Sequence, residues 1–233
     1  MSEAKVAWVT GGSAGIGLAI AEALAEDGYL TVISARNEAQ LREAAEQVGH
    51  GCEALPCDVA DRAAVSAVCA EILRRHGQID VLVNNAGGNS QKREWSDLVP
   101  EEFEAVIASN INGTFNTIHS VLPAMREQKN GLVINISSGA GKQVGVGAGV
   151  AYTVAKHGVH IMSKLLNQTE LANGIRCCVI TPAFVRTRAH DWRPEEVRNY
   201  MLNPEDVARA VRFAIESPPH TMIQEIELAW SPV

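Results

Sequence analysis

Seven short apolar, β-branched runs, separated by stretches with helical periodicity, constrain this chain more than any other feature. The runs are KVAWVT (5–10), LTVISA (30–35), CEALPCD (52–58), IDVLVNN (79–85), GLVINIS (131–137), IRCCVI (175–180) and IQEIEL (223–228). Helical spacing of apolar residues fills 15–27, 38–48, 61–76, 101–128, 150–172 and 204–216, so each of these stretches can turn one face to a core. Strands that are apolar along their whole length need cover on both sides. Strand and helix in alternation supply it when successive strands run parallel. The pattern therefore predicts an α/β fold, a doubly wound parallel sheet of about seven strands with helices on both faces.

The chain has 233 residues, 46% of them hydrophobic and 20% charged, which suits a single domain over 1–233 with a good core. No repeat, linker or compositional break marks a second domain. The net charge is −7, and Lys and Arg are scattered or at most paired, as at Arg74 and Arg75. Neither nucleic acid nor an anionic membrane is an expected partner. No stretch approaches the ~18 consecutive apolar residues of a membrane helix. The opening MSEAKVAWVTGG enters a strand without the apolar core of a signal peptide, so the expected location is the cytoplasm. Cys52, Cys57, Cys69, Cys177 and Cys178 show neither CxxC nor His-associated metal spacing, and read as structural thiols with no metal site. At NPED (203–206) a proline in the first turn and two acids suit a helix start.

Directly after the first run comes TGGSAGIG, Thr10 to Gly17, leading into the first helix. Gly11 permits a turn that strains other residues, Gly15 lets backbone approach a pyrophosphate, and Gly17 allows close packing of helix and strand. The helix N-terminus adds donors and a positive dipole end. This is the form of a dinucleotide site, with Ser13 and Ile16 expected to line it together with the three glycines.

A second stretch, AYTVAKHG (151–158), sets a phenol and an ammonium four residues apart. On a helix Tyr152 and Lys156 share a face. A nearby cation favours the phenolate, which brings a tyrosine toward the range where it exchanges a proton with a substrate oxygen. An ordinary amphipathic face is the bland reading of the same spacing.

The glycines at 11, 15 and 17, in the order TGxxxGxG, together with NNAG (84–87), INISS (134–138) and YTVAK (152–156), resemble the short-chain dehydrogenase/reductase family. The resemblance runs from residue 5 to about residue 228. It implies a single-domain Rossmann fold and an oxidoreductase that interconverts a carbonyl and an alcohol by hydride transfer. Tyr152 then acts as general acid and base, Lys156 lowers its pKa and holds the nicotinamide ribose, and Ser138 orients the substrate, with Ser137 as fallback. Asn110 holds a water that links Lys156 to solvent, with Asn112 as the competing candidate. Asp58 and Val59 are expected along the adenine, Asn85, Ala86 and Gly87 along the cofactor, and Pro182, Val185 and Thr187 beside the nicotinamide. In SARN (34–37) relatives that bind NAD carry an acid where Ala35 stands, and Arg36 follows. Arginine can pair with a 2′-phosphate, so NADP(H) is the expected cofactor. TPAFVRT (181–187) has Ala183 where the family carries glycine.

The stretch 183–199 is expected to form a substrate loop, in which Arg186, Arg188, His190 and Trp192 are open candidates for substrate contact. The chain's end resembles relatives that act on small hydroxy acids or amino alcohols. By analogy the protein is expected to form a homodimer or homotetramer through 101–128 and 150–172. A catalytically silent NADP(H)-binding sensor is the alternative reading.

Overall fold

The computed structural model describes residues 4–144, 146–190, 193–218 and 220–230. Seven parallel strands form one sheet in the order β3-β2-β1-β4-β5-β6-β7. The strands are β1 (Val6–Thr10), β2 (Leu30–Ser34), β3 (Glu53–Ala54), β4 (Val81–Asn84), β5 (Gly131–Ile136), β6 (Ile175–Pro182) and β7 (Glu225–Leu228). The order reverses between β1 and β4, and at such a switch point the loops leaving the carboxyl ends of the strands diverge and open a crevice.

Alternate residues of each strand face opposite helical layers. Ala7 and Val9 of β1 pack with α1 (Gly15–Glu26), α2 (Glu38–Val48) and α8 (Pro204–Glu216), through residues such as Leu24, Leu41 and Val207. Val6 and Trp8 face the other layer, made by α3 (Arg62–His76), α5 (Gly113–Gln128) and α6 (Val150–Glu170), through Ile72, Val121 and Leu166. Each large side chain buried in this way contributes about 1.5–3 kcal/mol, and Trp8 also donates from Nε1 to Ser34 Oγ at 2.9 Å.

Helix starts are closed by side chains at several places. Asn37 accepts from Gln40 N ahead of α2, Asp61 accepts from Ala63 N and Ala64 N ahead of α3, and Asn203 N donates to Asp206 Oδ2 at α8. The start of α1, by contrast, has Ala14 and no capping side chain.

The differences from the sequence pattern have local causes. The third run is regular strand only over Glu53–Ala54, although Leu55 N and Cys57 N still donate to Ile33 O and Ala35 O beside β2. The stretch 101–128 is not one regular helix: α4 (Pro100–Ile107) passes through a π-helical turn at Ala108–Asn112 into α5. The stretch 183–199 holds a 3-10 turn at Arg188–His190 and α7 (Glu195–Arg198), while Val185 bridges Leu202. Trp192 lies outside the described residues.

All five cysteines are free thiols. Burial pushes Cys52, Cys177 and Cys178 up to about 12, and Cys57 and Cys69 up to about 11, so they stay protonated at neutral pH. Among the described residues no helix is long and apolar enough to cross a membrane.

Candidate active site

The turn between β1 and α1 is shaped by what its glycines lack. Gly11 has φ +68°, and a Cβ there would stand 2.8 Å from Asn85 Nδ2. Gly15 has φ +56°, and a Cβ there would meet Thr187 Cγ2 at 3.2 Å. Gly17 has no room at all, since its Cβ would fall 2.2 Å from Gly11 O. The chain therefore folds back on itself tightly, with the uncapped N-terminus of α1 at its end. Ser13 and Ile16, both half-buried, lie in the same turn.

Asn85 holds that turn rather than standing clear of it. Its Nδ2 donates to Thr10 O at 3.1 Å and to Gly11 O at 3.2 Å. Thr10, 1% exposed, accepts at Oγ1 from both Asn85 N and Ala86 N. Thr10 was missed in the sequence, although it opens the glycine motif, because its role is to join β1 to the loop after β4. Gly87 is required by Asn110: a Cβ at Gly87 would lie 2.4 Å from Asn110 Oδ1.

Asn110 sits in the π-helical turn, 1% exposed, whereas Asn112 is exposed. Such turns often mark functional positions in helices. Asn110 Nδ2 donates to Gly88 O and Val106 O, each at 2.9 Å, and Oδ1 is buried without a hydrogen-bond partner among the described residues.

Tyr152 and Lys156 stand on α6, with Lys156 Nζ 5.4 Å from the centroid of the Tyr152 ring. Burial raises the Tyr152 phenol above its ordinary value, while hydrogen bonding with Ser138 and the charge of Arg93 pull it back. Arg93, from the loop after β4, is thus a second cation acting on this phenol besides the Lys156 ammonium beside its ring. Lys156 is 6% exposed, donates from Nζ to Ile136 O at 3.0 Å, and is pushed down to about 8 by burial. Ser138, whose hydroxyl lowers the phenol, accepts at Oγ from Ala140 N at 3.3 Å. Ser137 instead is buried, with an Oγ that has no partner among the described residues.

The remaining expected cofactor residues are spread around this cleft. Arg36 is exposed just beyond β2, follows half-buried Ala35, and makes no ion pair among the described residues. Asp58 is exposed and accepts from Ala60 N at 3.0 Å, which closes the turn after β3. Val59 has its side chain in the core against Gly113, and its carbonyl accepts from Asn116 Nδ2 at 3.0 Å. Pro182 ends β6 beside Leu228. Ala183 has no positive φ, so the glycine of the family pattern is not needed there. Val185 is buried, Thr187 touches Gly15, and His190 Nδ1 lies 2.9 Å from Val185 O. Burial holds the His190 imidazole below its ordinary value, hence neutral at pH 7.

Arg93 had no signal in the sequence, since QKREW (91–95) is an aperiodic polar stretch. The fold brings it to Tyr152, 59 residues away in the chain.

Known proteins match this arrangement along its length. The family model described as short chain dehydrogenase matches residues 5–197. An uncharacterized oxidoreductase of Staphylococcus saprophyticus is 35% identical over 229 residues, covering 95% of each chain. A metagenomic short-chain oxidoreductase solved in complex with NADP is 30% identical, with TM-score 0.85 over 99% of this chain and 100% of that one. An alcohol dehydrogenase from the archaeon Thermococcus sibiricus, complexed with 5-hydroxy-NADP, is 30% identical with TM-score 0.86 over 97% and 96% of the two chains. With its glycine turn, its Tyr152–Lys156 helix and a match over most of its length, this chain belongs to the short-chain dehydrogenase family.

Proposed function

We propose that this protein uses NADP(H) to interconvert an alcohol and a carbonyl, with Tyr152 as general acid and base. The observation that carries this reading is the half-buried Tyr152 ring with the buried Lys156 ammonium 5.4 Å from its centroid, that ammonium being held by Ile136 O at the carboxyl end of β5.

The residues present fit the dinucleotide. A turn in which Gly11 and Gly15 have positive φ and Gly17 excludes any side chain leads to a helix start without a side-chain cap, which suits a pyrophosphate. Arg36, exposed beside Ala35, would meet a 2′-phosphate with no carboxylate to repel it. Asp58, Val59, Asn85, Ala86 and Gly87 would follow the dinucleotide across the sheet, and Pro182, Val185 and Thr187 would border its nicotinamide, with Lys156 toward the ribose. The bound nicotinamide supplies hydride for reduction and takes it in oxidation.

Ser138 orients the substrate oxygen, and Tyr152 gives it a proton as negative charge develops there. Because burial keeps the phenol protonated at neutral pH, it is ready as the acid for reduction. The oxidative direction needs the phenolate and gains rate as pH rises. Lys156, still largely charged at pH 7, passes the proton toward solvent, and the unpartnered Asn110 Oδ1 holds a water on that path. Ketones, aldehydes and secondary alcohols, among them small hydroxy acids and amino alcohols, are the substrate range. The exposed Phe115 of α5 and Val154, Ile161 and Leu165 of α6 support self-association through these helices, which light scattering reads.

A panel of carbonyls and alcohols followed by NADPH absorbance, with NADH in parallel, tests the reading. Arg36→Asp should lower the NADPH-to-NADH ratio of kcat/KM by about 10–100-fold, the span of a charge-assisted hydrogen bond. Absence of turnover on every compound with both dinucleotides would overturn it.

A further inference from the structure

The loop after β4 and the loop before α6 are tied together ahead of the helix that carries Tyr152. Asn89 Nδ2 donates to Ala148 O at 2.8 Å, and Val150 N donates to Arg93 O at 2.9 Å. Arg93 Nη1 donates to Gly147 O at 2.9 Å and Nε to Ser90 O at 3.3 Å. Gly149, with φ +84°, lets the Arg93 stem lie against the backbone, since a Cβ there would come 2.7 Å from Arg93 Cβ. The guanidinium is thus fixed by two carbonyls, Ser90 O of its own loop and Gly147 O of the loop before the helix that carries Tyr152.

Carbonyls orient a guanidinium without neutralising it. Arg42, Arg74, Arg75, Arg126, Arg209 and Arg212 each meet a carboxylate. Half-buried Arg93 meets none among the described residues, in a chain whose acids outnumber its Lys and Arg 27 to 20. Its stem lies against Gly149, three residues before Tyr152 in the chain, and its charge is felt by the Tyr152 phenol and by the His190 imidazole of the loop after β6. Two of its five N–H groups are taken by carbonyls, and a planar fork with free donors is the side chain that pairs best with carboxylate.

We propose that Arg93 is a specificity determinant of the active site and that it binds the carboxylate of a substrate whose reacting alcohol or carbonyl lies at Tyr152. This rests on the reading of Tyr152 as the acid–base group, but its binding test does not. Butyrate has no hydroxyl or carbonyl to react and probes the carboxylate site alone, with butyramide as its neutral twin. Calorimetric titration of NADP-loaded protein should show butyrate bound and butyramide bound at least tenfold more weakly. Arg93→Gln should weaken butyrate by about 10–100-fold, as loss of a charge-assisted hydrogen bond does, and leave butyramide unchanged. Arg93→Lys, which keeps the charge and loses the same fork, should recover part of the affinity. In turnover, the preference for 3-hydroxybutyrate over its methyl ester, measured as kcat/KM, should fall by a similar factor in Arg93→Gln. Equal butyrate and butyramide binding, or equal losses for Gln and Lys, would overturn the proposal and leave Arg93 as a bridge between loops. If butyrate binding depends on Arg93 while no compound turns over, the carboxylate site stands and the reaction assigned to Tyr152 fails.

Discussion

Two buried polar groups of similar composition lie next to each other on the same strands. In the lower one, Thr117 Oγ1 donates to Asn84 Oδ1, Asn84 Nδ2 to Asn135 Oδ1, Asn135 Nδ2 to Ser163 Oγ, and Ser163 Oγ to Val159 O, all between 2.6 and 2.9 Å. Just past the end of β5 the pattern changes. Ser137 Oγ and Asn110 Oδ1 have no partner among the described residues, and Lys156 is buried as a cation with a single carbonyl. A buried polar chain that is complete fixes α5 and α6 to the sheet, whereas one with spare acceptors and a desolvated charge is held ready for something that binds. Satisfaction, not residue type, separates scaffold from site.

The contrast breaks most sharply on Tyr152. Tyr152→Phe keeps the ring and removes the proton, and kcat should fall by about 10²–10⁴, the usual worth of a general acid, with the thermal midpoint near that of wild type. A tenth of wild-type kcat remaining in this variant would reject the assignment. On the scaffold side, Asn135→Leu leaves the Asn84 amide and the Ser163 hydroxyl short of a partner. Urea unfolding should show a loss of about 2–6 kcal/mol, at about 1–3 for each stranded group.

Lys156→Met should do the opposite of Asn135→Leu, removing activity and adding stability. The lysine falls from an ordinary 10.5 to about 8 on burial. The unfolded chain therefore holds more protons between those values, and this group's destabilisation is present in full below pH 8 and relieved as pH rises to 10.5. The variant should be more stable than wild type by about 1–3 kcal/mol at pH 7, since each tenfold loss of proton affinity costs about 1.4 kcal/mol and the lost hydrogen bond offsets part of the gain. The gap should close toward pH 10 in denaturant titrations, and a gap that does not depend on pH would reject burial of a charge as its cause. The smallest effect belongs to Ser137→Ala, which removes a hydroxyl without a partner. Stability should not fall, since the hydroxyl has no hydrogen bond to lose, whereas Ser138→Ala should lower kcat/KM by about tenfold or more.

Much of this was legible in the chain. The seven runs became seven strands, and 15–27, 38–48, 61–76 and 204–216 became helices within a residue or two, because periodicity records which face of an element is buried. The glycine turn was legible because positive φ and absent Cβ are properties of one residue type. The CEALPCD run was overestimated because edge pairing depends on the neighbouring strand. The π-helical turn inside 101–128 left no mark, since its residues are as helical in pattern as their neighbours.

By itself the sequence determined the parallel α/β architecture, the tight glycine turn and the placing of Tyr152 with Lys156 on one helix, all of which rest on local spacing and on residue types with singular geometry. Only the tertiary structure decided that Asn85 and Thr10 clamp the turn, that Asn110 is buried in a π-helical turn, that Lys156 turns to Ile136 O, and that Arg93 packs against Gly149 ahead of α6. Each of these joins elements distant in sequence, and whether a buried polar atom is satisfied depends on neighbours that the chain brings together only when the sheet has closed.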